Sequence, residues 1–256
     1  MINLQIIFAL IIATFIGGIA GYIGSLMVTK RMALVGGAFG HLTIPGVTLA
    51  VIYDLDVSLG ALLFLFVGII LIWFLEQRTK LPMEALTSVV FSSSLAVAFL
   101  FLPEEKTMQV LIGDISKISI QVTFITVILS IIIFFVIKKI YSGLVLMSVS
   151  NDIASSIHIN IKLYNFTYLI SIALVVALGV RIVGGLMTAA LVAIPACTSR
   201  NFSKNLFQYS YLSLFLGSLA SFLGTLLFIV FGFSAGPLII IFSSFFFFIS
   251  LFFKKN

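Results

Sequence analysis

Charge is what this chain has least of. Only 9% of its 256 residues are Asp, Glu, Lys or Arg, against roughly 25% in an average soluble domain. A globule of this length in water needs far more polar surface, so a soluble enzyme is excluded. Cysteine is nearly absent. The single Cys197 allows no internal disulfide, leaves the redox compartment open and is read as packing. The phosphate-cradling G-x-x-x-x-G-K-[ST] loop occurs nowhere, so the chain does not hydrolyse ATP by that route. A basic stretch before the first apolar run is missing too, which predicts a retained first span rather than a cleaved leader.

What is present is oil-soluble. Hydrophobic residues make up 62% of the chain, and the few charges act as punctuation. A charge at mid-bilayer costs several kcal/mol, and a helical span needs about 20 apolar residues. Charge-free runs cover residues 1–29, 32–53, 57–75, 85–103, 118–137, 163–180 and 182–199, and 205–253 is long enough for two spans. A turn-forming cluster, Phe231 to Pro237, divides that last run. These segments predict nine helices, or eight if a short one beside Arg181 is broken or re-entrant. They are too long and too uniformly apolar for barrel strands. The expected fold is therefore all-α: a polytopic transmembrane bundle of eight to nine spans, forming one unit over residues 1–256 with no linker.

The net charge of +6 reads as topology rather than as affinity for nucleic acid, because the basic residues sit between apolar runs. With the N-terminus outside and the C-terminus in the cytoplasm, eleven Lys and Arg face inward, including Lys30, Arg31, Arg78, Lys138 and Lys139, and three face outward. The flipped arrangement violates the positive-inside rule. The outer side then collects Asp54, Asp56 and Asp114. Together they form an acidic entrance suited to cations, although Asp114 in a Gly-Asp turn equally suits a helix N-cap.

The most informative run is Ala33 to Val47, ALVGGAFGHLTIPGV. Gly36, Gly37 and Gly40 admit a close neighbouring backbone. Pro45 removes a helix hydrogen bond, which membranes tolerate only where protein or water satisfies the freed carbonyl. His41 stands four residues before that proline, on the same helical face. A neutral imidazole there suits zinc, manganese or iron; bonded to a neighbouring carbonyl, it would serve packing alone. A faint internal echo pairs Val35-Gly36-Gly37 before Pro45 with Val183-Gly184-Gly185 before Pro195.

This run resembles the signature of the ABC-type zinc/manganese/iron permease family, A-L-x-G-D-A-x-S-H-x-x-x-P-G. Ala33, Leu34, Gly36, Ala38, His41, Pro45 and Gly46 match it. Leu81 to Glu84, Leu111 to Asp114, Ser150 to Ala154 with Ile157, Val183-Gly184 with Ala189 to Ala196, and Ser234 to Pro237 are similar to further family segments, in the same order. Three departures stand out. The family's serine before the histidine is Gly40 here. The family's aspartate four residues before the histidine is Gly37 here, so a two-ligand site on one helix face is reduced to His41. The family's glycine in the cytoplasmic segment is His158.

The resemblance implies a homodimeric permease subunit of an ATP-driven importer that is not itself an enzyme. Zinc is its first expected cargo, manganese or iron the next, and no cofactor belongs to the chain. An extracytoplasmic metal-binding protein delivers the metal, which passes His41 along a path shaped by Gly36, Gly37, Gly40 and Pro45. Separate cytoplasmic ABC ATPase subunits grip a coupling helix around Asp152, Ile153, Ala154 and Ile157. Without the resemblance, that segment reads as an amphipathic helix lying on headgroups. The alternatives are a secondary transporter working without an ATPase, or a diverged membrane protein that transports nothing.

Overall fold

The computed structural model describes residues 4–79, 81, 83–101, 120–184 and 188–253. Every regular element among them is a helix, as hydrocarbon demands of a backbone with no outside partner. In chain order they are α1 (Leu4–Thr29), α2 (Ala33–Leu42), α3 (Ile44–Ile52), α4 (Val57–Arg78), α5 (Met83–Phe101) and α6 (Ile120–Val149). There follow α7 (Asn151–Ser156), α8 (Ile161–Val183), α9 (Thr188–Phe202), α10 (Leu206–Phe231) and α11 (Ala235–Phe252).

Helix ends fall where capping chemistry places them. The side chains of Asp56, Asn160 and Asn205 accept from the backbone amides of Leu59, Leu163 and Gln208, fixing the starts of α4, α8 and α10. The Phe231–Pro237 cluster makes the expected turn. Gly232 closes α10 in the left-handed conformation at φ 74°, its amide donating to the Phe228 carbonyl.

Six helices, α1, α4, α6, α8, α10 and α11, are individually long and apolar enough to cross a membrane. The other three expected segments are shorter or interrupted. One is the pair α2–α3, interrupted at Thr43. Another is α5, apolar over Ala85–Leu100. The third is α9, whose 15 residues rise about 22 Å and fall short of a ~30 Å hydrocarbon layer. One boundary also moves. The sequence ends the fifth span at Ile137, before Lys138 and Lys139, whereas α6 runs on to Val149. Charge expels a helix from oil but does not stop it; α6 continues until Ser150, which caps the next helix.

The centre of the bundle is α1. It buries 61% of its most apolar window, against 28% for each of α4, α6, α10 and α11. It packs along α10, α9, α6 and α8. Glycine makes this possible. A Cβ on Gly21 would strike the Ser213 carbonyl of α10, one on Gly217 the Gly17 carbonyl, and one on Gly24 the Val192 carbonyl of α9. The Ser213 hydroxyl donates to the Gly21 carbonyl at 2.6 Å, tying the two backbones together. Small residues at helical spacing are the usual contact surface of helices in lipid, where apolar side chains gain nothing from leaving oil.

Gly21→Ala should therefore destabilise the detergent-solubilised protein by about 1–3 kcal/mol. Gly179→Ala, whose added methyl would meet only ordinary van der Waals neighbours at 3.5 Å and beyond, should leave stability unchanged or slightly raised. Thermal unfolding of the two variants checks the contrast, and equal midpoints would refute the α1–α10 contact.

Candidate functional site

The α2–α3 break sits deep in the span. α2 starts three residues after Lys30, and α3 ends two residues before Asp54. His41 lies about 12 Å along this ~30 Å path. Pro45, in the first turn of α3, cannot donate to the His41 carbonyl four residues earlier. Thr43 remains helical at the joint, its hydroxyl bonded back to the Gly40 carbonyl. The imidazole is half-buried and stacks on Phe91 of α5, with ring centroids 5.6 Å apart and planes 25° apart. Its Nδ1 is buried with no hydrogen-bond partner among the described residues. The bond to a neighbouring carbonyl is not formed by this nitrogen among the described residues, a condition it shares with seven buried hydroxyls.

No group of three His, Cys, Asp or Glu side chains gathers among the described residues. The position that would supply a second ligand is Gly37, one turn before His41. A Cβ there would stand 3.2 Å from the Ala189 Cβ of α9, and one on Gly36 3.1 Å from the Met27 Cε. Both glycines thus face side chains rather than the backbone expected of them. The backbone approach belongs to Gly46, where a Cβ would strike the Gly60 carbonyl of α4. Gly40 is buried. Segments distant in sequence converge here: α2 lies against α9 through Gly37 and Ala189, and Gly236 of α11 lies against the Val183 backbone at the end of α8. The two glycine-led, proline-containing segments of the internal echo are thereby packed side by side.

The segment after α6 forms α7, a six-residue helix capped by Ser150. Ile153 and Ile157 are 51% and 59% exposed, Asp152 is exposed beside them, and Ala154 is fully buried. The hydroxyls of Ser155 and Ser156 fold back onto the Asp152 and Ile153 carbonyls. An apolar pair and one carboxylate are left facing outward, so Ala154 anchors the helix rather than offering a contact. At the far end of the helix, His158 adopts φ 64°. Its amide donates to the Ser155 carbonyl and that of Ile159 to the Ala154 carbonyl, the bonding of a Schellman cap, whose left-handed position usually holds glycine. The departure noted at His158 is therefore a residue under backbone strain.

Of the acidic entrance, Asp54 and Asp56 are exposed on the α3–α4 turn, Asp56 also capping α4. Asp114 and the rest of Leu111 to Asp114 lie outside the described residues, as do Pro82 and the side chains of Met83, Glu84 and Arg181. At the opposite end of α4, sequence reasoning assigned Lys30 to topology alone. The structure instead folds it inward. Its Nζ donates to Asn165 Oδ1 at 3.0 Å and sits 5.1 Å from the centre of the Tyr168 ring. Burial draws this ammonium below the usual lysine range, and the charge of Glu76 partly restores it. Lys30, Arg31, Glu76 and Asn151, the first residue of α7, border one cavity of about 350 Å³. The ends of α1, α4 and α6 and the start of α8 thus meet beside α7. An adjacent Lys-Arg pair after a glycine-rich span gave no sign of which of the two turns in.

Comparison with known proteins covers nearly the whole chain. The family model described as the ABC 3 transport family matches residues 3–254. The manganese import system permease protein ScaB of Streptococcus parasanguinis is 29% identical over 248 residues, 95% of this chain and 89% of that protein. The high-affinity zinc uptake system membrane protein ZnuB of Haemophilus influenzae is 27% identical over 259 residues, 97% of each. Among solved structures, PsaBC from Streptococcus pneumoniae in complex with Fab matches with a TM-score of 0.81 at 27% identity, covering 95% of this chain and 89% of that one. An inward-facing putative metal-chelate type ABC transporter shares the fold, with a TM-score of 0.76 at 15% identity over 95% of this chain and 84% of that one.

Replacing His158 by Gly should relieve the left-handed strain and stabilise the α7 cap by roughly 1 kcal/mol. The readout is slower hydrogen exchange at the His158 and Ile159 amides or their immediate neighbours. His158→Ala, which keeps the Cβ, should bring no such gain; matched behaviour of the two variants would discount strain at this position.

Proposed function

The chain belongs to the ABC 3 transport family, and on that premise we propose that residues 1–256 form one permease domain carrying a divalent first-row metal across the cell membrane. In this reading it is the membrane subunit of an ATP-driven importer. An extracytoplasmic binding protein hands over the metal, separate cytoplasmic ATPase chains supply the energy, and a second copy of the chain completes the path. The N-terminus lies outside and the C-terminus inside, with Asp54, Asp56 and Asp114 at the entrance.

The observation that carries the proposal is His41. It combines an imidazole with an unpartnered buried nitrogen, a mid-span position and a helix broken by Pro45 within one turn. Paired interrupted helices are where transporters place their cargo sites, and α2 packs on the short, proline-containing α9. Gly36, Gly37, Gly40 and Pro45 shape the wall beside His41. Among the described residues no carboxylate joins His41 in a cluster, and a lone imidazole is a weak ligand set, suited to passage rather than storage. Relatives named for manganese reach 29% identity and one named for zinc 27%, which favours manganese ahead of the zinc that the sequence put first, with iron third. The metal is cargo, and the chain requires no resident cofactor. Asp152, Ile153 and Ile157 form the grip for the ATPase, and Ala154 seats it on the bundle.

His41→Ala should cut ATP-dependent manganese uptake by at least about tenfold in vesicles holding the complete importer, with the ATPase still co-purifying. The double variant Ile153→Asp/Ile157→Asp should instead lose the co-purified ATPase. Gradient-driven uptake by this chain alone would sink the ATP-driven reading.

A second experiment restores the missing carboxylate. Because Ala189 crowds the position, Gly37→Asp should retain more metal when combined with Ala189→Gly than when made alone. Metal analysis of the purified variants measures it, and equal metal content in wild type and double variant would mean that this helix face does not meet the cargo.

A further inference from the structure

A groove on the outside of the bundle contains neither His41 nor the glycines around it. α6 and α10 both pack along α1 without packing along each other, so α1 floors a channel between them. One half of the channel is a cavity of about 290 Å³ lined by Phe15, Ile19, Ile131, Phe135 and Leu214. Apart from Thr14, Ser130 and Ser218, its walls are apolar or glycine. The other half is a cavity of about 360 Å³ with Lys138, Ser142, Ser210, Tyr141 and Tyr211 in its walls.

All three helices agree on which way the groove runs. Toward the polar half, α1 goes from Thr14 to Tyr22, α6 from Ser130 to Val145, and α10, antiparallel, from Ser218 back to Leu206. The rings of Tyr22, Phe134 and Tyr211 pack at the join, with centroids 5.0 to 6.2 Å apart. The Lys138 ammonium lies 5.8 Å from the Phe134 ring centre and is exposed at the head of the groove.

We infer that this groove binds one anionic phospholipid from the leaflet at the Lys138 end. The phosphate sits at Lys138, beside the hydroxyls of Ser142 and Tyr211, and an acyl chain runs along Phe15, Ile131 and Phe135. Length supports the match. From Ile131 to Val145 α6 rises about 21 Å, roughly half of a ~40–45 Å bilayer with its headgroups. The chemistry also changes along the groove as it does along a lipid, apolar below and cationic with hydroxyls above. Another apolar cavity, of about 300 Å³ between α4, α6 and α8, has Asp56 in its lining, and that carboxylate would repel the same headgroup. The inference is independent of the cargo and of which side of the membrane the Lys138 end faces.

The test is photolabelling of the full-length protein in mixed phosphatidylglycerol–phosphatidylcholine vesicles, using phosphatidylglycerol with a diazirine on its acyl chain. The label should map to the groove residues of α1, α6 and α10. Lys138→Gln should reduce it about fivefold, whereas Lys139→Gln, the same charge change one residue along the helix, should not. Ile131→Trp, which fills the apolar half and keeps Lys138, should reduce it as well. Three results would overturn the assignment: equal labelling of the two lysine variants, label spread evenly over the exposed face of α4, or an intermolecular disulfide through Ile131→Cys in a Cys197→Ser background, which would place a second copy in the groove.

Discussion

Two backbones can touch only where no Cβ stands between them, and this bundle is organised around that fact. Along α1, Gly17 and Gly21 meet Ser213, Gly217 and Ser221 of α10, and Gly24 on the same flank meets Val192 of α9. In water, burying a leucine would drive such contacts. In lipid the surroundings are as apolar as the leucine, and association rests on close van der Waals packing and interhelical hydrogen bonds. α6, α8 and α9 rest directly on α1, and α9 and α11 on α10. α9 is held against Gly24, and α9 in turn presents Ala189 to Gly37, one turn from His41. The geometry around the imidazole therefore begins with glycines more than twelve residues earlier in the chain.

The same medium explains why His41 stands out. Many hydroxyls in the bundle satisfy themselves on their own helix: Thr14 on the Leu10 carbonyl, Ser171 on Thr167 and Thr198 on Ile194. Such residues cost little in oil and report no function. An imidazole does not fold back in this way. Its buried nitrogen has no partner among the described residues, and it is an ionisable group within one turn of the Pro45 interruption, which sets it apart from the buried hydroxyls that also lack a partner. Gly37, one turn earlier, adds no carboxylate to it.

Much of this was legible in advance, because charge and hydrocarbon do not mix. Runs free of charge located the helices, and the Ala33–Val47 stretch announced its own interruption through Pro45. The boundary of α6 was misread because Lys138 and Lys139 mark the edge of the oil rather than the end of the helix. Burial was harder to see. Lys30 and Arg31 are neighbours in sequence, yet only Lys30 finds Asn165 and Tyr168, partners that exist only after α8 has docked. The pairing of α1 with α10 had a signal, small residues at spacings of three and four on both helices, but such spacings are common in membrane spans. The strain at His158 was half visible, as a histidine standing where similar sequences place glycine, and only the backbone angle gave it a physical meaning.

The overhang of α6 has a mechanical consequence. Its 30 residues form a rod of about 45 Å, of which some 15 Å protrude past a ~30 Å hydrocarbon slab. α7 is fastened to the free end through Ser150 and Ala154. The pivot would lie where α6 rests on α1, at Phe134 against Tyr22, so a sideways push of about 5 Å delivered at the end of a ~22 Å arm would tilt the rod by roughly 13°. Small strokes applied outside the oil are thereby geared into tilting within it, with α1 as fulcrum and α6 as crank.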